Sequence, residues 1–289
     1  MLEASSMALK APFPWFGGKS KIAPVVWERL GNTPNYVEPF FGSGAVLLAR
    51  PDWHGWQNRI ETVNDKDGMV CNFYRALSAE PEGVAEYADW PVNECDLSAR
   101  HAWLVGQKDS LQARLEGDPD YYDAKIAGWW VWGIACWIGG EFCSGNGPWQ
   151  VVDSDDGSRQ LVHLGDAGRG VNRKRVQLTH HRQGVNAQQH EDLIDYFRRL
   201  AERLRRVRVC CGDWTRVCGP TPTIHQGLTA VFLDPPYSHS ERDSGLYRVE
   251  KTVNDDVRAW ALKWGRHPLM RIALCGYEGE GHEELQSHG

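Results

Sequence analysis

The sequence lacks most of what would mark a secreted, membrane-bound or metal-bound protein. Its eight cysteines contain no C-x-x-C pair, and Cys210 and Cys211 are adjacent. With no signal peptide ahead of them, they read as reduced thiols of a cytoplasmic protein, not as a disulfide framework or a zinc site. The N-terminus has no apolar core that could target or anchor the chain. The most apolar stretch, Ile126 to Ile138, falls short of the ~20 residues that a bilayer span needs. No membrane or metal partner is expected. Positive charge is not in excess either: the net charge is −6 over 289 residues. That argues against a protein that coats nucleic acid and leaves room for a local basic face. P-loop spacing, a complete G-x-G-x-x-G, internal repeats and coiled-coil heptads are all missing.

What is present centres on Leu233-Asp234-Pro235-Pro236-Tyr237. The apolar run Ala230 to Leu233 reads as a buried strand of a parallel sheet, where both faces are covered and alternation disappears. The prolines end that strand, because neither can donate a ladder hydrogen bond. Asp234 and Tyr237 therefore fall at the carboxyl end of a central strand, the edge where open α/β sheets bind ligands. An ionised Asp234 only accepts hydrogen bonds, the prolines stiffen the turn and leave carbonyls free, and Tyr237 supplies a flat face. This set suits a planar base with an exocyclic amino group. Two acceptors hold its N–H donors, and the nitrogen becomes more pyramidal and more nucleophilic.

The rest of the chain supplies further strand ends of this kind. Residues 1–11 read as a disordered lead-in. Trp15-Phe16-Gly17-Gly18-Lys19 precedes a helical stretch to about Leu30, so that backbone N–H groups and a lysine can meet an anion. Asn35 to Gly44 reads as strand, glycine turn and helix, with Gly42 and Gly44 permitting close approach of a ligand; without a third glycine it is a nucleoside site lacking a pyrophosphate cradle. Thr62 to Asp65 ends a second strand, and Asp65 lies about 20 residues beyond the glycines, the spacing of an acid that accepts from ribose hydroxyls. A helix over Asp67 to Leu77 follows. From about Ala79 the βα rhythm stops. Helices are predicted over 98–116 and 121–138, the second rich in tryptophan and read mostly as core. A hairpin is predicted over Trp149 to Asp153 and Arg159 to Leu164, followed by a basic run with Arg169, Arg173, Lys174 and Arg175, read as a DNA contact. The rhythm resumes with a helix from Ala187 to Arg205 and a strand from Val207 to Cys211. That strand ends in Asp213 and Trp214, an acceptor and a ring for an adenine. A polar loop from Ser238 to Glu250, a helix near Asp255 to Trp264 and a strand from Arg271 to Cys275 complete the pattern.

In this order, the strings at Trp15 to Lys19, Val37 to Gly44, Val63 to Asp65, Gly212 to Trp214 and Asp234 to Tyr237 resemble the Dam-type adenine-specific DNA methyltransferases, closest to phage and prophage members. The resemblance covers about residues 12 to 278. It implies an α/β, Rossmann-like sheet dependent on S-adenosylmethionine, with an inserted, mainly helical target-recognition domain. The catalytic domain would comprise 12–78 and 187–289, and the DNA-binding insertion 79–186. It further implies that Trp15 and Lys19 lie near the methionine end of the cofactor. Glu38, Pro39, Phe40, Gly42 and Gly44 pass beneath it, Asp65 holds the ribose, and Asp213 and Trp214 hold the adenine. Asp234, Pro235, Pro236 and Tyr237 would hold a target base flipped out of double-stranded DNA. Family members continue past the fifth strand through a helix and a hairpin. Here Gly276 to His282 is followed by a few polar residues, so the C-terminal strands are expected to be missing. The setting implied is a bacterial or phage-infected cell, with or without a cognate restriction nuclease.

Two alternatives stand beside this reading. Cytosine-N4 methylation poses the same chemical problem, although that family's usual string is Ser-Pro-Pro-Tyr. A DNA-binding remnant without turnover is the other. Cytosine-C5 methylation needs a thiolate from a Pro-Cys pair, and none occurs.

Overall fold

The computed structural model describes residues 9–15, 17–53, 58–137, 142–143, 149–153, 159–163, 187–236 and 246–276, with backbone alone at 149–153, 159–163, 187–191 and 246–252. The elements are α1 (Ala23–Leu30), β1 (Asn35–Glu38), α2 (Ala45–Leu48), β2 (Ile60–Asp65), α3 (Gly68–Ala79), α4 (Pro81–Ala88), α5 (Glu94–Gly117), α6 (Ala124–Cys136), β3 (Trp149–Asp153), β4 (Arg159–His163), α7 (Ala187–Leu204), β5 (Val207–Cys211), β6 (Thr229–Leu233), α8 (Leu246–Trp264) and β7 (Met270–Leu274). They pack as two compact units. One holds the N-terminal segment through Gly18 together with Asp67 to Arg205; the other holds Lys19 to Lys66 and the chain from Arg206 onward.

The second unit is a five-stranded sheet in the order β5-β2-β1-β6-β7, with every pair parallel. Each residue of β1 and β6 is buried, as strands at the centre of a covered parallel sheet are; β6 is largely apolar, whereas β1 also buries Asn35 and Glu38. The chain runs from β1 through β2 to β5 on one side, then returns to place β6 and β7 on the other. The direction of winding therefore reverses between β1 and β6, and the crevice at their carboxyl ends is where such sheets take ligands.

The amino end of the sheet is tied by polar groups that are buried or nearly so. Asn35 Nδ2 donates to the Pro222 carbonyl at 2.8 Å and to Thr229 Oγ1 at 2.9 Å, fixing β1 against β6. Arg50, with a fully buried side chain, pairs with Glu61 Oε1 at 2.9 Å and donates to the Thr33 carbonyl. Its guanidinium lies 5.1 Å from the Trp27 ring and 5.8 Å from Tyr36.

The first unit is helical, with the antiparallel β3–β4 hairpin. Side-chain caps start its helices: Asp67 accepts from Met69 N–H at 2.8 Å, Asn93 from Cys95 N–H at 2.9 Å, and Asp123 from Ile126 N–H at 2.8 Å. Phe13, Phe73, Trp130 and Phe197 form an edge-to-face aromatic core. Trp130 and Trp132 are completely enclosed, in keeping with core tryptophans. Asn72 and Asp123 exchange two hydrogen bonds of 2.9 Å, joining α3 to the start of α6.

Several details differ from expectation. The packing boundaries fall at 66/67 and 205/206, so α3 and α7 group with the helical unit and not with the sheet. Helix α4, begun by Pro81 at its first turn, lies where no element was expected. Helix α8 starts at Leu246, so the expected polar loop ends sooner and the helix near Asp255 starts earlier. The segment read as a disordered lead-in includes Lys10, whose carbonyl accepts the Tyr196 hydroxyl. The expected absence of C-terminal strands concerns residues 277–289, outside the described residues. Among the described residues no helix is long and apolar enough to cross a membrane.

Removing Arg50 alone takes the cation away from buried Glu61, so Arg50→Met is expected to destabilise the protein by about 3–5 kcal/mol. The double change Arg50→Met with Glu61→Leu removes both charges and should lose markedly less. Chemical denaturation compares the two, and equal losses would show that the ion pair is not what the site requires.

Candidate active site

The strand ends at the β1–β6 reversal are joined before any ligand is considered. Asn64, buried near the end of β2, donates through Nδ2 to the Pro39 carbonyl at 3.1 Å and to the Gly212 carbonyl at 3.0 Å. One amide thus bridges the ends of β1, β2 and β5. The main chain adds Phe41 N–H to the Asn64 carbonyl at 2.9 Å and Gly212 N–H to the Asp65 carbonyl at 2.8 Å. Gly42 and Gly44 adopt φ of 49° and 69°, a left-handed backbone that side chains disfavour. Asp65 Oδ2 accepts the Gly42 N–H at 2.8 Å, so this carboxylate holds the glycine turn. Sequence reasoning gave Asn64 no task; the signal available was an amide between two strand-end residues of a buried strand.

Glu38 closes β1 and is almost fully buried. Tyr36 Oη donates to its Oε2 at 2.8 Å. Burial pushes its carboxyl up to about 8, with the negative charges of Asp234 and Asp65 adding to the rise against the Tyr36 hydroxyl and Leu47 N–H bonds. Asp234, at the end of β6, pairs with Lys19 at 2.8 Å between Oδ2 and Nζ, and the two side chains are only 17% and 12% exposed. Pro235 is buried and Pro236 exposed. Cys275 follows β7, its N–H bonded to the Leu233 carbonyl at 2.8 Å. Its thiol is pushed up to about 12, by burial first and then by Asp234. Neither the Lys19–Asp234 pair nor the nearness of Cys275 to Asp234 was anticipated.

Asp213 is exposed and caps a short 3-10 turn, Trp214–Val217, by accepting from Thr215 N–H at 3.0 Å and from the Thr215 hydroxyl. Those two bonds hold its carboxyl below the usual range. Trp214 is buried in the core with Val37, Val231 and Met270, and stacks on Phe40 with centroids 6.1 Å apart. Of this aromatic pair, half-buried Phe40 has the more accessible ring. Trp15 belongs to the helical unit, where its ring meets Phe13 edge-on at 5.7 Å. Tyr237, Arg169, Arg173, Lys174 and Arg175 lie outside the described residues.

So the sheet unit brings together Lys19, Glu38, Asp65 and Asp234 with the glycine turn, and its five-stranded parallel sheet is consistent with a Rossmann-like methyltransferase fold. The resemblance read from the motifs has a counterpart in known proteins. Residues 15–94 match the family model of the D12 class N6 adenine-specific DNA methyltransferases. The chain is 29% identical over 104 residues to the DNA N-6-adenine-methyltransferase of Escherichia phage P1, covering 34% of this chain and 13% of the relative. It is 30% identical over 86 residues to the Type II methyltransferase M.MjaIII of Methanocaldococcus jannaschii, covering 28% of this chain and 29% of the relative. The chain thus spans well under half the length of either relative. The family match includes the glycine turn and Asp65 but stops short of Asp234.

Between the ordinary carboxyl range and about 8, folded Glu38 keeps a proton that the unfolded chain has released. Stability therefore falls as pH rises through that window, by up to about 1.4 kcal/mol per pH unit. Glu38→Gln, which mimics the protonated acid, should be less sensitive to pH between 5 and 8 by about that slope. Denaturation of both proteins across this range measures the difference; parallel curves would place the proton elsewhere.

Proposed function

We propose that the chain is an S-adenosylmethionine-dependent DNA methyltransferase that modifies the N6 amino group of adenine in duplex DNA. The observation that carries the reading is Asp234. It is an acceptor at the carboxyl end of β6, at the reversal of the sheet, followed by a proline pair and beside the glycine turn that ends β1. The names and family of the matched relatives point the same way.

The residues present fit the cofactor. Lys19 is a cation for an amino-acid carboxylate, Asp65 an acceptor for a ribose diol, and Phe40 a ring for an adenine. The left-handed turn at Gly42 and Gly44 lets backbone approach the nucleoside. S-adenosylmethionine supplies an electrophilic methyl group. The protein's own work is to orient the base and place acceptors. The target adenine is extruded from the stack. The carboxylate of Asp234 and the carbonyl of Pro235 accept its two amino hydrogens, which localises the lone pair on nitrogen. Tyr237 stacks on the base. No side chain forms a covalent intermediate. The hairpin β3–β4 and the basic run with Arg169, Arg173, Lys174 and Arg175 serve the duplex. Replacing any one phosphate-binding cation of that run with alanine should flatten the salt dependence of DNA binding by roughly 0.9 units.

Asp234→Ala should lower methyl transfer by about 10²–10³-fold, the effect of losing one charged partner that acts in the transition state, with cofactor affinity little changed. Asp65→Ala should weaken cofactor binding and regain rate at high cofactor concentration. Calorimetry with the cofactor and transfer of labelled methyl to DNA decide the matter. Near-normal turnover in Asp234→Ala would remove the basis of the reading.

A further inference from the structure

The Lys19–Asp234 pair poses a problem for the reaction, and its solution gives Lys19 a task. One oxygen of the acceptor that should receive the target amino group is already engaged by a cation. Nζ lies 2.8 Å from Oδ2, and both side chains are largely shielded from water. A carboxylate neutralised by a close cation in a shielded place is a poorer acceptor for a weakly acidic amino hydrogen than one whose charge is unshared. The same edge holds a second reason for the pair. Asp234 sits near enough to Glu38 and to Cys275 to push both upward, so without a counter-ion its charge would be opposed by its surroundings. Lys19 itself begins the short link into α1: its carbonyl accepts the Ile22 and Ala23 N–H groups, which anchors its backbone.

We propose that Lys19 is a positioning residue that makes capture of the target base depend on prior binding of the cofactor. Resting on the function proposed above, the cofactor brings a second carboxylate, that of its amino-acid portion. Lys19 shifts toward it, Asp234 is released as an acceptor, and the flipped base gains its partner. The nucleoside portion alone cannot do this, because it has no carboxylate. Binding of cofactor and binding of target DNA are then linked through one ammonium group, and the linkage must be reciprocal.

The test compares two non-reactive nucleosides by the affinity each confers on wild-type protein for a duplex containing its methylation site. Sinefungin carries the amino-acid carboxylate; 5′-methylthioadenosine does not. Saturating sinefungin should tighten DNA binding at least about fivefold, within the usual range of such couplings, and methylthioadenosine less than about twofold. In Lys19→Met, Asp234 loses this cation. DNA binding without nucleoside should equal or exceed that of wild type, and saturating sinefungin should add less than about twofold. Equal tightening by the two nucleosides, or full coupling retained in Lys19→Met at saturation, overturns the proposal and leaves the methyltransferase reading intact. If wild-type protein binds no sinefungin and transfers no methyl group, both fall together. The wild-type comparison needs no variant, so a misfolded Lys19→Met would not blunt the test.

Discussion

Three carboxylates gather at one edge of a parallel sheet, and burial, with their repulsion added to it, decides how each is held. Glu38, Asp65 and Asp234 each close or follow a strand around the β1–β6 reversal. In a shielded place, like charges cannot all stay bare. Glu38, raised first by burial and then by its neighbours' charges, answers by keeping its proton, Asp65 by accepting the Gly42 N–H, and Asp234 by pairing with Lys19. Each answer has a structural product. The first fills the interior behind the site, the second sets the glycine turn, and the third holds the start of α1 against the end of β6. Acceptors gathered in this way suit a ligand that brings donors and positive charge.

That edge has a definite geometry because the strands beneath it are locked at both ends. Asn64 ties the carboxyl ends of three strands with one amide. Arg50 and Asn35 tie the amino ends with buried polar groups that would be expensive to leave unpaired. The helical unit is organised differently, by aromatic packing and capped helices around Phe13, Phe73 and Trp130.

Parts of the sheet were legible in the sequence: the run Ala230 to Leu233 is apolar throughout, as a central parallel strand buried on both faces can be. Val207 to Cys211 has the expected bounds, and the proline pair marks the end of β6 as expected. What escaped was set by tertiary context. Lys19 and Asp234 lie far apart in the chain, and no local pattern announces that they meet. Trp214 follows a strand end, where a ring reads as a ligand face, yet it is drawn into the core beside Val37 and Val231. Helices α3 and α7 have apolar faces that fit either a sheet or a helical neighbour, so their grouping with the helical unit could not be read from periodicity. The short α4 carries one turn signal, Pro81, in a stretch otherwise rich in glutamate and alanine.

The most direct measurement is made in cells that carry no DNA methylation of their own. Wild-type protein is expressed there, and the recovered DNA is sequenced by a method that identifies each modified base. N6-methyladenine at one short recurring sequence, absent when Asp234→Ala is expressed instead, is the predicted result. DNA free of modified adenine despite folded wild-type protein, or carrying only N4-methylcytosine, would contradict it.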